Sequence, residues 1–463
     1  MTVSTGTGLA RVTIAAPRRR LDVALPENVP VAELLPGLLR HAGEGLADEG
    51  EAHGGWVLRR PDGSPLEASR TLQSQNVRDG EVLHLVPRRT EWPELDYDDV
   101  VDAIATGARR YGIQWSRRAT RICGLTLGSV LLAIGTVVLY LSGPPWLAPG
   151  ILGLSIALVL VVIGTVLSRA ISEGLAGAIL ASIGLPYAFL GGTLLLGSER
   201  AISQFGAAHL LIGSASLLVI SLIGYFGVAE LPRLFVAGVV AGFVGCVAAL
   251  LGYLGVSPID CAAIITTALL ALLPAYPLIA LRVGKVPVPQ LPTTPEELLQ
   301  DEPMPERAQV VAAVVRADEL LTGMLLGASC VTAVSAFLLA REEGRSAPLL
   351  AGIVALSYLL RARLFPVVRQ RLPLLLVGLW LVIVLTLDYT LTLSTTLRMA
   401  AVLSGLIVVG GLVVTSGLTY SRRNPSPYFG RYADILDVLL IVALLPVTCA
   451  VLGLYSYVRG LGG

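Results

Sequence analysis

The sequence predicts a polytopic α-helical membrane protein with a small α+β head at its N-terminus, and three observations carry that prediction. Charged residues are 14% of the 463-residue chain, against about a quarter in soluble domains. The mean hydropathy is +0.74, which a larger core cannot absorb, because a soluble chain must still clothe itself in polar surface. The apolar residues are also unevenly placed: no stretch before residue 120 could cross a bilayer, whereas beyond it apolar runs follow one another with short gaps. A net charge of +1 offers nothing to a nucleic-acid backbone, so no nucleic-acid partner is expected.

In the head, after a tail at 1–8, Val12 and Ile14 alternate with polar neighbours, and Leu21, Val23 and Leu25 do so again beyond the Pro17–Arg20 turn, the pattern of a hairpin. Val31, Leu34, Leu35, Leu38 and Leu39 form one stripe of an amphipathic helix, with Pro30 ahead of its first turn and Gly43 behind it. A short strand at 56–59 meets the turn Pro61-Asp62-Gly63-Ser64-Pro65, and Asp79-Gly80 precedes a last strand at 82–86. This order, with Thr71-Leu72 ahead of Leu83-His84-Leu85-Val86, resembles the ubiquitin-like β-grasp. Residues 9–87 are therefore expected to be a cytoplasmic ubiquitin-like domain that docks rather than conjugates, because the chain continues through Pro87-Arg88-Arg89. No cleavable leader is expected, since the first apolar stretch is short and alternating.

Residues 88–120 read as a cytoplasmic linker helix. Tyr97, Val100, Val101, Ile104, Ala108 and Tyr111 share one face, acids crowd its start, and Arg109 and Arg110 lie late, a polarity that suits the helix dipole. Such a helix is either a solvated spacer or a partner-docking element, in which Tyr97, Val101, Ile104, Arg109 and Arg110 would make the contacts.

The membrane domain, 121–463, reads as eleven spans at 121–141, 147–168, 174–196, 207–226, 234–254, 258–281, 320–340, 347–360, 372–387, 397–418 and 435–457. An odd number places the termini on opposite sides. With the N-terminus cytoplasmic and the C-terminus outside, loops and span ends on the inner side carry eighteen arginines and lysines against five on the outer. That is the bias expected of inner loops. The long loop at 282–319 is proline-rich, then acidic, and should turn helical from Arg307. It is either a flexible linker or a cytoplasmic contact made through Glu296, Glu297, Asp301, Glu302 and Glu306.

No catalytic constellation emerges. There is no Walker A, HExxH or GxSxG sequence, and the histidines and five cysteines stand at unrelated spacings. Asp260, Asp318, Glu319, Asp388, Asp434 and Asp437 fall near span boundaries rather than midplanes, which argues against a proton-coupled carrier. Neither an enzyme nor a bound cofactor or metal is expected. The spans do carry glycine faces: Gly238, Gly242 and Gly245 on the fifth, Gly174 and Gly177 on the third, and Gly405, Gly410 and Gly411 on the tenth. Small residues let helix backbones approach closely in lipid, either within one chain or between subunits.

A ubiquitin-like head, a linker helix and eleven spans together resemble the EccD family of type VII (ESX) secretion systems. The likeness rests on Arg11-Val12-Thr13-Ile14, Asp22-Val23-Ala24-Leu25-Pro26, Val77-Arg78-Asp79-Gly80 and Asp99-Val100-Val101-Asp102-Ala103-Ile104-Ala105. It continues in Val286-Pro287-Val288-Pro289 and in Ser426-Pro427 ahead of Asp434-Ile435-Leu436-Asp437, all in register with the topology. The resemblance implies a multi-pass protein of the cell inner membrane that acts as a scaffold or channel-forming subunit. It would form a homodimer enclosing a membrane cavity that conducts protein or holds lipid, with EccB, the FtsK-like ATPase EccC, and EccE as partners. The competing expectation is a stand-alone permease for a small solute or lipid, although no internal repeat supports it.

Overall fold

The structure is a computed structural model that describes residues 8–17, 19–43, 45–51, 54–88, 115–287, 306–422 and 427–461. The chain divides into two units, Met1–Trp115 and Ser116–Gly463.

In the first unit, β1 (Leu9–Ala15) and β2 (Arg20–Pro26) form the hairpin that the alternation predicts, closed by the pair Ala15 and Arg20. Ala10, Val12 and Ile14 are buried while Leu9 and Arg11 face out, the period-two split of a half-covered sheet. After α1 (Val31–Ala42) and the short α2 (Leu46–Glu51) come β3 (Trp56–Arg59) and β4 (Val82–Pro87). β4 lies parallel to β1 and antiparallel to β3, giving the order β2-β1-β4-β3. Val31, Leu38 and Ala42 of α1 close over Ile14, Leu58, Leu83 and Leu85. The predicted turn before Pro65 is built by Ser64, whose hydroxyl and backbone N–H both donate to the Asp62 carboxylate, at 2.6 and 2.9 Å. Those two donors hold the Asp62 carboxyl below its usual range. The linker residues 89–114 lie outside the described residues.

In the second unit, eleven helices among the described residues are long and apolar enough to cross a membrane. In order, the first to sixth spans are Arg117–Leu141, Leu147–Arg169, Gly174–Leu195, Ala207–Gly227, Pro232–Tyr253 and Pro258–Val283. The seventh to eleventh are Arg307–Ala340, Ser346–Leu364, Val368–Thr392, Thr395–Tyr420 and Gly430–Val451. The ninth is 25 residues long rather than the short segment expected at 372–387. The eleventh stops at Val451, not at 457, because Gly453 takes the left-handed conformation at φ 68° that ends a helix, and a separate helix Leu454–Leu461 follows. The sixth, expected as one rod, is broken by a 3-10 turn at Leu273–Ala275. Pro274 supplies no N–H inside that turn, which is the usual cause of such a break.

Glycine sets how closely the helices approach. A Cβ placed on Gly191 of the third span would lie 2.6 Å from the backbone nitrogen of Leu154 on the second, and one on Gly164 would lie 2.5 Å from the Gly177 carbonyl. The same holds between the fifth and seventh spans, where a Cβ on Gly327 would stand 2.6 Å from the Ala237 carbonyl. The tenth span is different. No residue of its most apolar stretch is buried, and no described residue lies within 4 Å of where a Cβ would stand on Gly405, Gly410 or Gly411. Among the described residues nothing packs closely on the glycine face expected there, unlike its counterparts on the third and fifth spans.

Candidate assembly surfaces

The glycines singled out on the fifth span pack against the fourth. A Cβ on Gly242 would lie 2.8 Å from the Leu218 nitrogen, and one on Gly238 or Gly245 would collide with the hydroxyls of Ser221 or Ser214. Of the expected partner-contacting residues, Tyr97, Val101, Ile104, Arg109, Arg110, Glu296, Glu297, Asp301 and Glu302 lie outside the described residues. Glu306 is described. It is exposed at the N-cap of the seventh span and accepts a hydrogen bond from Gln309 at 3.3 Å.

The most organised polar structure is one that sequence reasoning did not assemble. Four of the six acids noted near span boundaries, Asp318, Glu319, Asp434 and Asp437, are paired with arginines from other helices, all at the end of the bundle where the first span begins. Arg233 of the fifth span donates to Glu319 of the seventh at 2.8 Å, and Arg369 of the ninth reaches the same carboxylate at 3.0 Å. Arg369 also pairs with Asp318, which accepts a further bond from Gln370 at 2.6 Å. Arg363 meets Asp434 at 2.5 Å, Arg361 meets Asp437 at 3.1 Å, and Arg121 pairs with Glu173. Arg169 caps the C-terminus of the fourth span through the carbonyls of Phe226 and Gly227, at 2.9 and 2.7 Å. The belt joins helices distant in sequence, and its most buried members, Arg361, Asp437, Arg233 and Glu319, are held by a partner rather than by water.

At the opposite end the fastening is aromatic. Trp146 donates to the Arg200 carbonyl at 2.7 Å and meets the edge of Phe205, which stacks on His209 with ring centroids 4.3 Å apart. His209 accepts the Gly206 N–H at 3.2 Å and so caps its own helix.

The remaining surface is unusual for what it leaves open. The first and eleventh spans have only 11% of their apolar windows buried and the tenth none, whereas the seventh and eighth have 56%. Among the described residues these three spans therefore leave most of their apolar surface uncovered. Among the described residues no group of three His, Cys, Asp or Glu is placed to hold a metal ion.

Comparison with known proteins bears on that arrangement. Residues 120–461 match the EccD-like transmembrane domain, and residues 9–85 match YukD of the WXG100 protein secretion system. The ESX-3 secretion system protein EccD3 of Mycobacterium tuberculosis is 29% identical over 339 residues, covering 65% of this chain and 67% of that one. The ESX-4 secretion system protein eccD4 of the same organism is 32% identical over 132 residues, and that match spans only 28% of the relative's length. Among solved structures, protomer 1 of an ESX-3 core complex covers 97% of this chain and aligns over 100% of its own length, with a TM-score of 0.59 at 20% identity. A MycP5-free ESX-5 inner membrane complex aligns with a TM-score of 0.56 at 18% identity, covering 90% of this chain and 100% of its own. At such identities the likeness is one of fold. With a ubiquitin-like YukD domain ahead of a membrane body matched over nearly its whole length, the chain belongs to the EccD family, the multi-pass inner-membrane components of type VII secretion.

Proposed function

We propose that this chain is a non-enzymatic scaffold and channel-forming subunit of a type VII (ESX) secretion complex. Two copies pair within the membrane to enclose a cavity. On the cytoplasmic side the head, the linker 88–120 and the loop 282–319 hold an FtsK-like ATPase of the EccC type, with EccB- and EccE-type subunits alongside. The observation that carries this reading is the tenth span, which turns a glycine face away from its own chain in a bundle otherwise assembled through such faces. The excess of arginine on the inner side supports a cytoplasmic N-terminus and an outer C-terminus.

The broken sixth span favours the permease reading, because discontinuous helices mark many transport sites. Two carbonyls at this break already carry side-chain donors, however, from Tyr276 at 3.2 Å and Arg361 at 2.6 Å. That leaves the break filled by protein rather than open to an ion or solute.

Deleting residues 9–87 tests the docking half of the proposal. The expected outcome is a membrane body that still inserts and still co-purifies with a second tagged copy, while the ATPase disappears from the purified material. An ATPase retained at its full level would remove the head from the docking role.

A further inference from the structure

The break in the sixth span has a second side. Pro274 cannot return an N–H to Leu270, near the middle of the 26-residue span. The Leu273 N–H, which in a continuous helix would bond Leu269, turns instead to Leu270. The phenol of Tyr276 takes the Leu269 carbonyl at 3.2 Å, and Nη1 of Arg361 takes the Leu270 carbonyl at 2.6 Å.

Arg361 is carried by the eighth span and is 4% exposed. Its Nε donates to Asp437 of the eleventh span at 3.1 Å. A buried guanidinium is tolerated only when its donors are used and its charge is balanced, and here one side chain meets both demands with groups from two other helices. The eleventh span otherwise packs mainly on the eighth and sixth, where Thr448 meets Thr267 hydroxyl to hydroxyl at 2.8 Å. The tenth span precedes it in the chain and has none of its apolar stretch buried.

We propose that Arg361 is a positioning residue that seats the eleventh span by tying Asp437 to the proline break of the sixth. The seat lies wholly within this chain and is independent of what the tenth span later meets. The proposal therefore stands whether or not two copies pair.

The test uses the full chain in its native membrane, with all five native cysteines replaced by alanine and a reporter pair, Thr267→Cys with Thr448→Cys, that crosslinks when the eleventh span is seated. Arg361→Met should lower the crosslink yield at least fivefold, because Asp437 is left charged and unpaired. Arg361→Lys should fall between, since an ammonium cannot reach both partners as a fork does. Arg361→Met with Asp437→Leu should restore the crosslink to at least half its starting yield.

Pro274→Ala probes the other arm of the knot. It should change the detergent melting temperature little in the parent chain but recover at least half of the loss caused by Arg361→Met, because an alanine in place of the proline returns an N–H to Leu270. If Arg361→Met fails to accumulate as folded protein, Asp437→Asn carries the crosslink test, with at least a twofold loss expected. A crosslink that ignores Arg361→Met (or Asp437→Asn in its place) overturns the seating. Strictly additive melting shifts for Pro274→Ala and Arg361→Met overturn the link to the break.

Discussion

Gly191→Leu abolishes the folded membrane body. The Cβ alone would stand 2.6 Å from the Leu154 nitrogen, 2.9 Å from the Gly153 carbonyl carbon and 3.0 Å from the Gly150 oxygen. All three are backbone atoms, so no rotamer change can make room, and the second and third spans must part along their length. Overpacking of a tight core costs about 1–3 kcal/mol and occasionally more. A leucine driven between two backbones belongs at or above the top of that range, a large fraction of the stability of a typical domain. Fluorescence-detected size exclusion of the tagged chain should show the folded peak lost to aggregate. Gly124→Leu on the first span is the matched control, because nothing lies within 4 Å of its Cβ position, and it should leave the peak unchanged. An unchanged peak for Gly191→Leu would mean that the two helices do not approach as described.

The second large effect is on association and not on folding. Gly410→Leu with Gly411→Leu places two bulky side chains where no described residue lies within 4 Å. The monomer should tolerate both within about 0.5 kcal/mol, as exposed positions usually do. Leucine also forms helix more readily than glycine. If the tenth span is where two copies meet, the same pair of substitutions removes the close backbone approach that small residues permit. The fraction of tagged chain that retains a differently tagged second copy in mild detergent should then fall about tenfold, since each 1.4 kcal/mol lost at the seam is a factor of ten. Full retention would assign that face to lipid. The contrast between Gly191 and Gly410, two glycines in apolar helices, separates the glue of one chain from the glue between chains.

Much of the architecture was legible from residue pattern. The β1–β2 hairpin follows from Val12 and Ile14 alternating against Leu21, Val23 and Leu25, because a half-covered sheet must split every strand by face. The spans are legible because lipid leaves no other home for such apolar runs. The break at Pro274 was also within reach, since Pro274 and Pro277 stand in the middle of the sixth span, and an apolar run read for length alone passes over them.

The ion-pair belt was less accessible. Arg361 and Asp437 are 76 residues apart, and no periodicity joins them; topology places both at the same end of the bundle but does not choose the partner. The open face of the tenth span had no signature at all. In a membrane a helix facing lipid and a helix facing protein are equally apolar, so only packing tells Gly410 from Gly242.

The central claim is that this chain is a structural part of a large secretion assembly. Its most direct test is affinity purification of the tagged full chain from native membranes in mild detergent, followed by mass spectrometry and native sizing. The expected result is a particle far larger than the 48.6 kDa chain, containing a multi-domain FtsK-like ATPase and at least two copies of this protein. A stable, partner-free monomer or dimer would contradict it and would return the broken sixth span to consideration as a transport site.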